Sequence, residues 1–293
     1  MKIKEIASAK INLFLEIIGK RPDGYHQIKS IFQKISLSDT LLFSRRPDGQ
    51  IVLQIKKFNS AIPDLPTDQK NLIVRTARII QKKFSVASGV NILLKKRIPV
   101  GAGLGGGSSD AAATIRGLNK LWNLKLSLNQ QLKIAREIGA DVSFFLYQYC
   151  WAEATGVGEQ ITAGGKTRRF YLVIIKPEFS IATARAYSLI TPQLLTSPQE
   201  STKIKRALKS ARALNYWASL LFNRFENILR CQYPDIVLIK QMLVKAGALN
   251  ALLSGSGSAV FGIFPNKKSG ERAAKIIKKN LRPKSTVFLA HSI

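Results

Sequence analysis

One stretch limits what this chain can fold into: Pro99 to Ala113, PVGAGLGGGSSDAAA. It places five glycines in the seven residues 101–107, followed at once by Ser108, Ser109, Asp110 and a run of alanines. Glycine lets backbone N–H groups turn toward a ligand at little steric cost. Ser and Asp are preferred at helix starts, where free N–H groups and a positive dipole end face outward. From Ala111 the apolar spacing is helical, through Ile115, Leu118 and Trp122. A glycine loop feeding a helix N-terminus is an anion site, most often for phosphate. Ordering so many glycines costs more chain entropy than a plain strand–helix turn justifies.

The loop is none of the three commonest phosphate motifs. No Lys-Ser or Lys-Thr follows the glycines, which excludes a Walker A loop. Gly101, Gly103 and Gly106 fit G-x-G-x-x-G, but the dinucleotide version follows a buried strand and precedes an acid by about 20 positions. Here Lys95-Lys96-Arg97-Ile98-Pro99 precedes it and the next acids are Glu137 and Asp141. A protein-kinase loop is followed by a strand, and here a helix follows.

With 293 residues the chain makes one large domain or two moderate ones. No apolar run approaches about 18 residues, so no transmembrane helix is expected. Glu5, Lys10 and Asn12 interrupt any signal-peptide core. Cys150 and Cys231 lack disulfide or metal spacing and read as reduced core thiols of a cytoplasmic protein. Lys and Arg number 46 against 17 acids, a formal charge of +29. Such a balance suits a polyanion partner, yet the basic residues are spread along the whole chain, without a basic tail, zinc-finger spacing or aromatic RNA motif. A solvated basic surface that also attracts anionic small substrates is the favoured reading, without a dedicated nucleic-acid partner.

Residues 3 to 18 read as a strand in which Lys10 and Asn12, two apart, share a face. A lysine there is either a snorkelling edge residue or a phosphate or carboxylate contact. Pro22-Asp23-Gly24 is a turn signal, and Tyr25 and His26 follow it as an aromatic pair, either a base-stacking platform or a loop anchor. Strands are expected over 28–43 and 51–56, joined by a hairpin turn at 45–49, and over 90–95. Residues 58–69 read as a loop, and 71–84 and 128–138 as helices, the latter stopped by Gly139. Asp141 is a lone carboxylate, either the cap of a helix from Val142 or a catalytic base or metal ligand. Gly156 to Glu159 marks a turn and 170–176 a buried strand, with a domain boundary near 160. Helical segments are expected over 203–214, 218–229 and 235–246. A second glycine cluster, Ser254-Gly255-Ser256-Gly257-Ser258, precedes a strand over 259–264. It is a hairpin turn or a second wall of the first loop's site.

Three stretches together resemble the GHMP kinases: AKINLFL at 9–15, PVGAGLGGGSSDAA at 99–112 and LLSGSGSAVFGIF at 252–264. AKINLFLEIIGKRPDGYH and GADVSFF narrow the likeness to the branch acting on 4-diphosphocytidyl-2-C-methyl-D-erythritol. The resemblance runs from Ala9 to Phe264. It implies an α+β fold of two domains, a ribosomal protein S5 domain 2-like ATP-binding domain over 1–160 and a ferredoxin-like domain over 161–293. It implies transfer of the γ-phosphoryl group of ATP, with Mg2+, to the 2-hydroxyl of that substrate, in the non-mevalonate route to isoprenoid precursors. Asp141 would be the general base, and Lys10 would keep it ionised and stabilise the transferring group. Asn12 would meet the substrate's hydroxyl end. Pro99, Val100, Gly101, Ala102, Gly103, Leu104, Gly105, Gly106, Gly107, Ser108 and Ser109 would cradle ATP, with Asp110 behind them and Asn71 and Lys96 near the adenosine. Tyr25 and His26 would take the cytosine, and Gly255 and Gly257 would close around the diphosphate. Ser109 and Asp110 are the candidates for holding Mg2+.

The chain departs from the family pattern at Ser143, where proline is usual, in 147–155, and at Arg224, which replaces a common acid. Thr183 and Tyr187 keep the later pattern in part. Two other readings stand beside the main one. A GHMP kinase of another small alcohol, such as homoserine, mevalonate or a sugar, would have no base for Tyr25 and His26 to stack on. A non-enzymatic nucleic-acid-binding module would leave Lys10 and Asp141 dispensable.

Overall fold

The structure, a computed structural model, describes residues 2–58, 62–165, 169–195, 201–209, 213–281 and 285–293. Parts of the loop expected over 58–69 and of the helix expected over 203–214 lie outside these. The chain forms two compact units that interleave in sequence. One holds Met1–Ala9, Ser38–Val100 and Gly105–Gln148, the other Lys10–Leu37, Gly101–Leu104 and Tyr149–Ile293. The boundary expected near 160 therefore divides the sequence at a different place from the units. Strands β1 (Lys2–Lys20) and β2 (His26–Arg46) each contribute to both units.

In the first unit, β3 (Ile51–Lys57), helix α1 (Leu72–Lys83), β4 (Gly89–Lys96), α2 (Gly106–Leu121), α3 (Leu128–Ile138) and α4 (Val142–Leu146) follow in order. Val90, Ile92 and Leu94 alternate along β4 and are buried, as a half-covered strand requires. β4 pairs with β3 in parallel, Ile92 opposite Leu53, and with β2 in antiparallel, Leu93 opposite Leu42. The turn at 45–49 is therefore no hairpin: β4 lies between the two strands it joins. Asn71 caps α1 by accepting from the Ile73 N–H at 3.0 Å. A reciprocal Ser127–Gln130 capping box starts α3. The apolar sides of α1, α3 and α4 all meet α2.

In the second unit, β5 (Trp151–Thr155) and β6 (Gln160–Gly165) form a hairpin around the expected turn at 156–159, and β5 pairs with β2, Ala152 opposite Phe32. Next come β7 (Tyr171–Lys176), α5 (Thr183–Ser188), α6 (Ser201–Lys209), α7 (Leu214–Ala218), β8 (Phe222–Asn223), α8 (Arg224–Leu229), α9 (Pro234–Lys245), β9 (Asn250–Leu253), β10 (Val260–Phe264), α10 (Lys267–Asn280) and β11 (Thr286–His291). A four-stranded antiparallel sheet in the order β11-β7-β10-β9 is covered by α9 and α10. This is the ferredoxin-like arrangement of the expected α+β fold. Its core joins Val173, Ile175, Leu253, Val260 and Phe264 to Ile236, Leu243 and Ile277. Burying each such side chain stabilises the fold by about 1.5–3 kcal/mol.

Two expectations are corrected in this unit. The helix expected over 218–229 is split, because Phe222 pairs with Phe14 of β1 and Asn223 caps α8 through the Phe225 N–H at 3.0 Å. The cysteines are not both core thiols: Cys150 is half-buried and Cys231 exposed. Both are free, as expected. Among the described residues, no helix is long and apolar enough to cross a membrane.

Candidate active site

The N-terminal strand, the tip of the first glycine loop and the second glycine loop meet within the second unit. Lys10 is 5% exposed and donates from Nζ to Asn12 Oδ1 at 2.8 Å. Its ammonium also lies 4.6 Å from the centre of the Phe32 ring. Asn12 Nδ2 donates to Ser30 Oγ at 2.8 Å, and that hydroxyl donates to the Phe14 carbonyl at 2.6 Å. The period-two pattern thus puts Lys10 and Asn12 on one face, and Ser30 of β2 fixes which way the amide points. The Lys10 N–H donates to the Leu104 carbonyl at 2.9 Å, fixing the end of Gly101–Leu104 to β1.

The two glycine loops pack backbone to backbone. Ala259 N–H donates to Ala102 O at 3.2 Å, Ser258 N–H to Gly101 O at 3.4 Å, and Ser254 Oγ to Gly103 O at 3.0 Å. Gly103 has φ +72°, and a Cβ there would stand 1.9 Å from the Ser254 carbonyl oxygen. No other residue fits that approach. The second loop joins β9 to β10, so it is at once the hairpin connection and a wall against the first loop. Asn223, 2% exposed, donates from Nδ2 to the carbonyls of Leu253 and Gly255, both at 2.8 Å. Glu226 Oε1 accepts from the Leu253 N–H at 2.8 Å, and Thr183 Oγ1 lies 3.1 Å from Ser256 Oγ. The sequence reading assigned no role to Asn223 or Glu226. The asparagine sits where a helix was expected, and only the β8–α8 junction aims its amide at the loop.

At the turn between β1 and β2, Gly24 N–H donates to Arg21 O at 3.0 Å and Tyr25 N–H to Asp23 Oδ1 at 3.2 Å. The Pro-Asp-Gly signal is a turn, and it leaves Tyr25 65% exposed. His26 stacks on Tyr187, ring centres 5.2 Å apart, and Tyr187 meets Phe225 edge-on at 5.0 Å. Burial, and then the Lys20 charge, push the His26 pKa below its ordinary value. At neutral pH its imidazole is uncharged and offers one donor and one acceptor.

The first unit holds the remainder of the glycine loop. Pro99 is buried and Val100 half-buried. α2 starts at Gly106 with Gly105 as its cap residue, five residues before the expected start at Ala111. Ser108, Ser109 and Asp110 therefore lie in the first turns rather than capping them. No side chain caps the helix, and its first intrahelical bond of the loop region is Ser109 N–H to Gly105 O at 2.9 Å. The N–H groups of Gly106, Gly107 and Ser108 stand at the positive end of the dipole.

Asp110 instead turns inward. Its carboxylate lies 2.6 Å from Lys96 Nζ, whose other partner is Asp39 at 2.5 Å. Asp39 also accepts from the backbone N–H groups of Arg97 and Ile98. All three side chains are buried. Burial, opposed by the Lys96 charge, raises the Asp110 pKa to about 8, with the Asp39 charge adding to the rise. The Lys96 pKa is raised by its two carboxylates against the cost of burial. The Lys96 ammonium is thus engaged inside the unit, while Asp110 Oδ1 stays buried without a hydrogen-bond partner. Asp39 was missed by the sequence reading; its one visible signal is a carboxylate inside the apolar run of β2. Asn71, expected near the adenosine, caps α1 and donates from Nδ2 to Pro66 O at 2.8 Å. Asp141 is half-buried at the start of α4, and its side chain makes no cap hydrogen bond to that helix.

Comparison with known proteins bears on the whole chain. The model of the GHMP kinases N terminal domain matches residues 71–149, and that of the GHMP kinases C terminal domain matches 200–282. A protein of Bacillus velezensis named 4-diphosphocytidyl-2-C-methyl-D-erythritol kinase is 38% identical over 93% of this chain and 91% of its own. A protein of the same name from Pelotomaculum thermopropionicum is 39% identical over 94% and 93%. A crystal structure of 4-(cytidine 5'-diphospho)-2C-methyl-D-erythritol kinase superposes with a TM-score of 0.81 at 30% identity, covering 98% of this chain and 99% of that one.

Proposed function

The chain belongs to the 4-diphosphocytidyl-2-C-methyl-D-erythritol kinases of the GHMP family, and from that membership we propose the reaction and how its residues share it. It is a small-molecule kinase: it moves the γ-phosphoryl group of ATP to the 2-hydroxyl of 4-diphosphocytidyl-2-C-methyl-D-erythritol, on the route to isoprenoid precursors. The observation that carries this is 38–39% identity sustained over 93–94% of the chain, far beyond the glycine loop that all GHMP kinases share. In sequence terms the ATP-binding domain takes 1–160 and the second domain 161–293. The protein works in the cytoplasm.

Phosphoryl transfer asks mainly for positioning and charge stabilisation, with one base to align the nucleophile. Asp141, half-buried at the start of α4, takes the role of that base. Lys10 stabilises charge on the transferring group, and Asn12, held by Ser30, meets the substrate's hydroxyl end. The uncapped N–H groups at the start of α2 and the glycines before them receive the ATP phosphates. Asn71, at the start of α1, belongs to the adenosine side, whereas Lys96 is taken up by Asp39 and Asp110. Tyr25 and the neutral His26 take the cytosine by stacking and hydrogen bonding, with Tyr187 behind the imidazole. Gly255, held by Asn223, and Gly257 border the diphosphate.

Mg2+ accompanies ATP. Of the expected candidates, Asp110 is turned inward and paired with Lys96, which leaves the serine hydroxyls at the start of α2 as the hard oxygen donors for it. Bound there, the ion supplies charge neutralisation for the phosphates.

The deciding experiment is ATP turnover with 4-diphosphocytidyl-2-C-methyl-D-erythritol for the natural protein and for Asp141→Asn. Turnover by the natural protein and a fall of about 100-fold or more in kcat in the variant are expected, the usual contribution of a positioned base. Turnover of homoserine or mevalonate in place of that substrate refutes the cytidine reading; an undiminished variant refutes the role of Asp141.

A further inference from the structure

Lys176 ends β7 on the apolar run FYLVIIK, and no step above uses it. It is 8% exposed. Its Nζ donates to the carbonyls of Pro177 at 2.9 Å and Phe179 at 2.7 Å and to Ser180 Oγ at 3.2 Å. These three acceptors use all three donors of the ammonium, and all are neutral. No carboxylate pairs with it among the described residues, and burial alone pushes its pKa down. A buried charge without a counter-ion is costly, and such groups concentrate at functional sites.

The segment that Lys176 ties down touches both glycine loops. Phe179 O, which accepts from Lys176, also accepts from Ser258 Oγ at 2.7 Å. Ser180 stands where a Cβ on Gly101 would meet its Cβ and Oγ at 3.1 Å. Ile181 lies at the same distance from a Cβ built on Gly257. One ammonium therefore fixes the backing of Gly101 and of the Gly257–Ser258 bend. Because it is not neutralised, its field extends into the loops it supports.

We propose that Lys176 is a positioning residue for phosphate binding, which fixes residues 177–180 behind the two glycine loops and adds an unbalanced positive charge favouring a nucleoside polyphosphate there. This rests on the reading of the loops as phosphate-binding.

The test is calorimetric binding of ATP and of adenosine to the full chain, with thermal melting in parallel. Lys176→Met keeps the apolar stem and removes the charge. It should weaken ATP binding about tenfold, the order expected for unit charges about 12 Å apart at an effective dielectric near 20. Adenosine affinity should stay unchanged, and Lys176→Arg should restore most of the ATP affinity. If the methionine variant fails to fold, Lys176→Gln keeps hydrogen bonding without charge and should show the same selective loss. ATP affinity equal to that of the natural protein, or equal losses for ATP and adenosine, overturns the proposal. If the natural protein itself binds adenosine as tightly as ATP, the phosphate reading of the loops falls and the proposal with it.

Discussion

Gly103→Ala tests the contact on which the paired loops depend. A methyl group there would sit 1.9 Å from the Ser254 carbonyl oxygen and 2.8 Å from its carbon. That is about 1.5 Å short of van der Waals contact, so the loops must part. Three costs follow. Holding alanine at φ +72° costs about 1–2 kcal/mol. Separating the backbones lengthens the 3.0 Å bond from Ser254 Oγ to Gly103 O, a loss of about 1 kcal/mol. Displacing packed backbone adds about 1–3 kcal/mol. The sum, about 3–6 kcal/mol, corresponds to a fall in Tm of about 6–20 °C for a protein of this size. Gly270→Ala is the control. Its Cβ would meet neighbours at an ordinary 3.9 Å within α10, and it should raise stability by about 0.5–1 kcal/mol. Circular-dichroism melting of both variants and kcat/KM for Gly103→Ala are the measurements. A Gly103→Ala protein with natural Tm and natural kcat/KM would refute the close approach of the two loops.

Two further outcomes are expected. Asp110, raised to about 8 from an ordinary 3.8, binds more protons folded than unfolded across that interval, so its contribution to stability is greatest at the acid end and is lost as pH rises toward 8. Urea midpoints at pH 5 and pH 8 should fall more steeply with pH for the natural protein than for Asp110→Asn; parallel slopes would contradict the inward-turned carboxylate. Asn223→Ala leaves the carbonyls of Leu253 and Gly255 and the Phe225 N–H without their partner, at a cost of about 2–4 kcal/mol. Its KM for the cytidine substrate should rise with the loss of stability, and an unchanged KM would separate Asn223 from the second loop's function.

The sequence by itself determined the elements whose signals are local. The glycine run, the Pro-Asp-Gly turn, the helices over 72–83 and 128–138 and the shared face of Lys10 and Asn12 all follow from backbone freedom, capping and side-chain period. The family was legible too, because three separated motifs kept their order along the chain. What failed did so where partners distant in sequence override local preference. β4 enters between β2 and β3 because its buried face pairs with both, so a plausible hairpin turn joins strands that never pair. Phe222 leaves the expected helix to pair with Phe14. Asp110, a good helix cap by composition, is drawn inward by Lys96, a charge 14 residues away that also holds Asp39. Tertiary structure alone decided that the two glycine loops touch, that Asn223 fixes the second, and that Lys176 stands behind them. No period or local propensity records which carbonyl a buried ammonium will find.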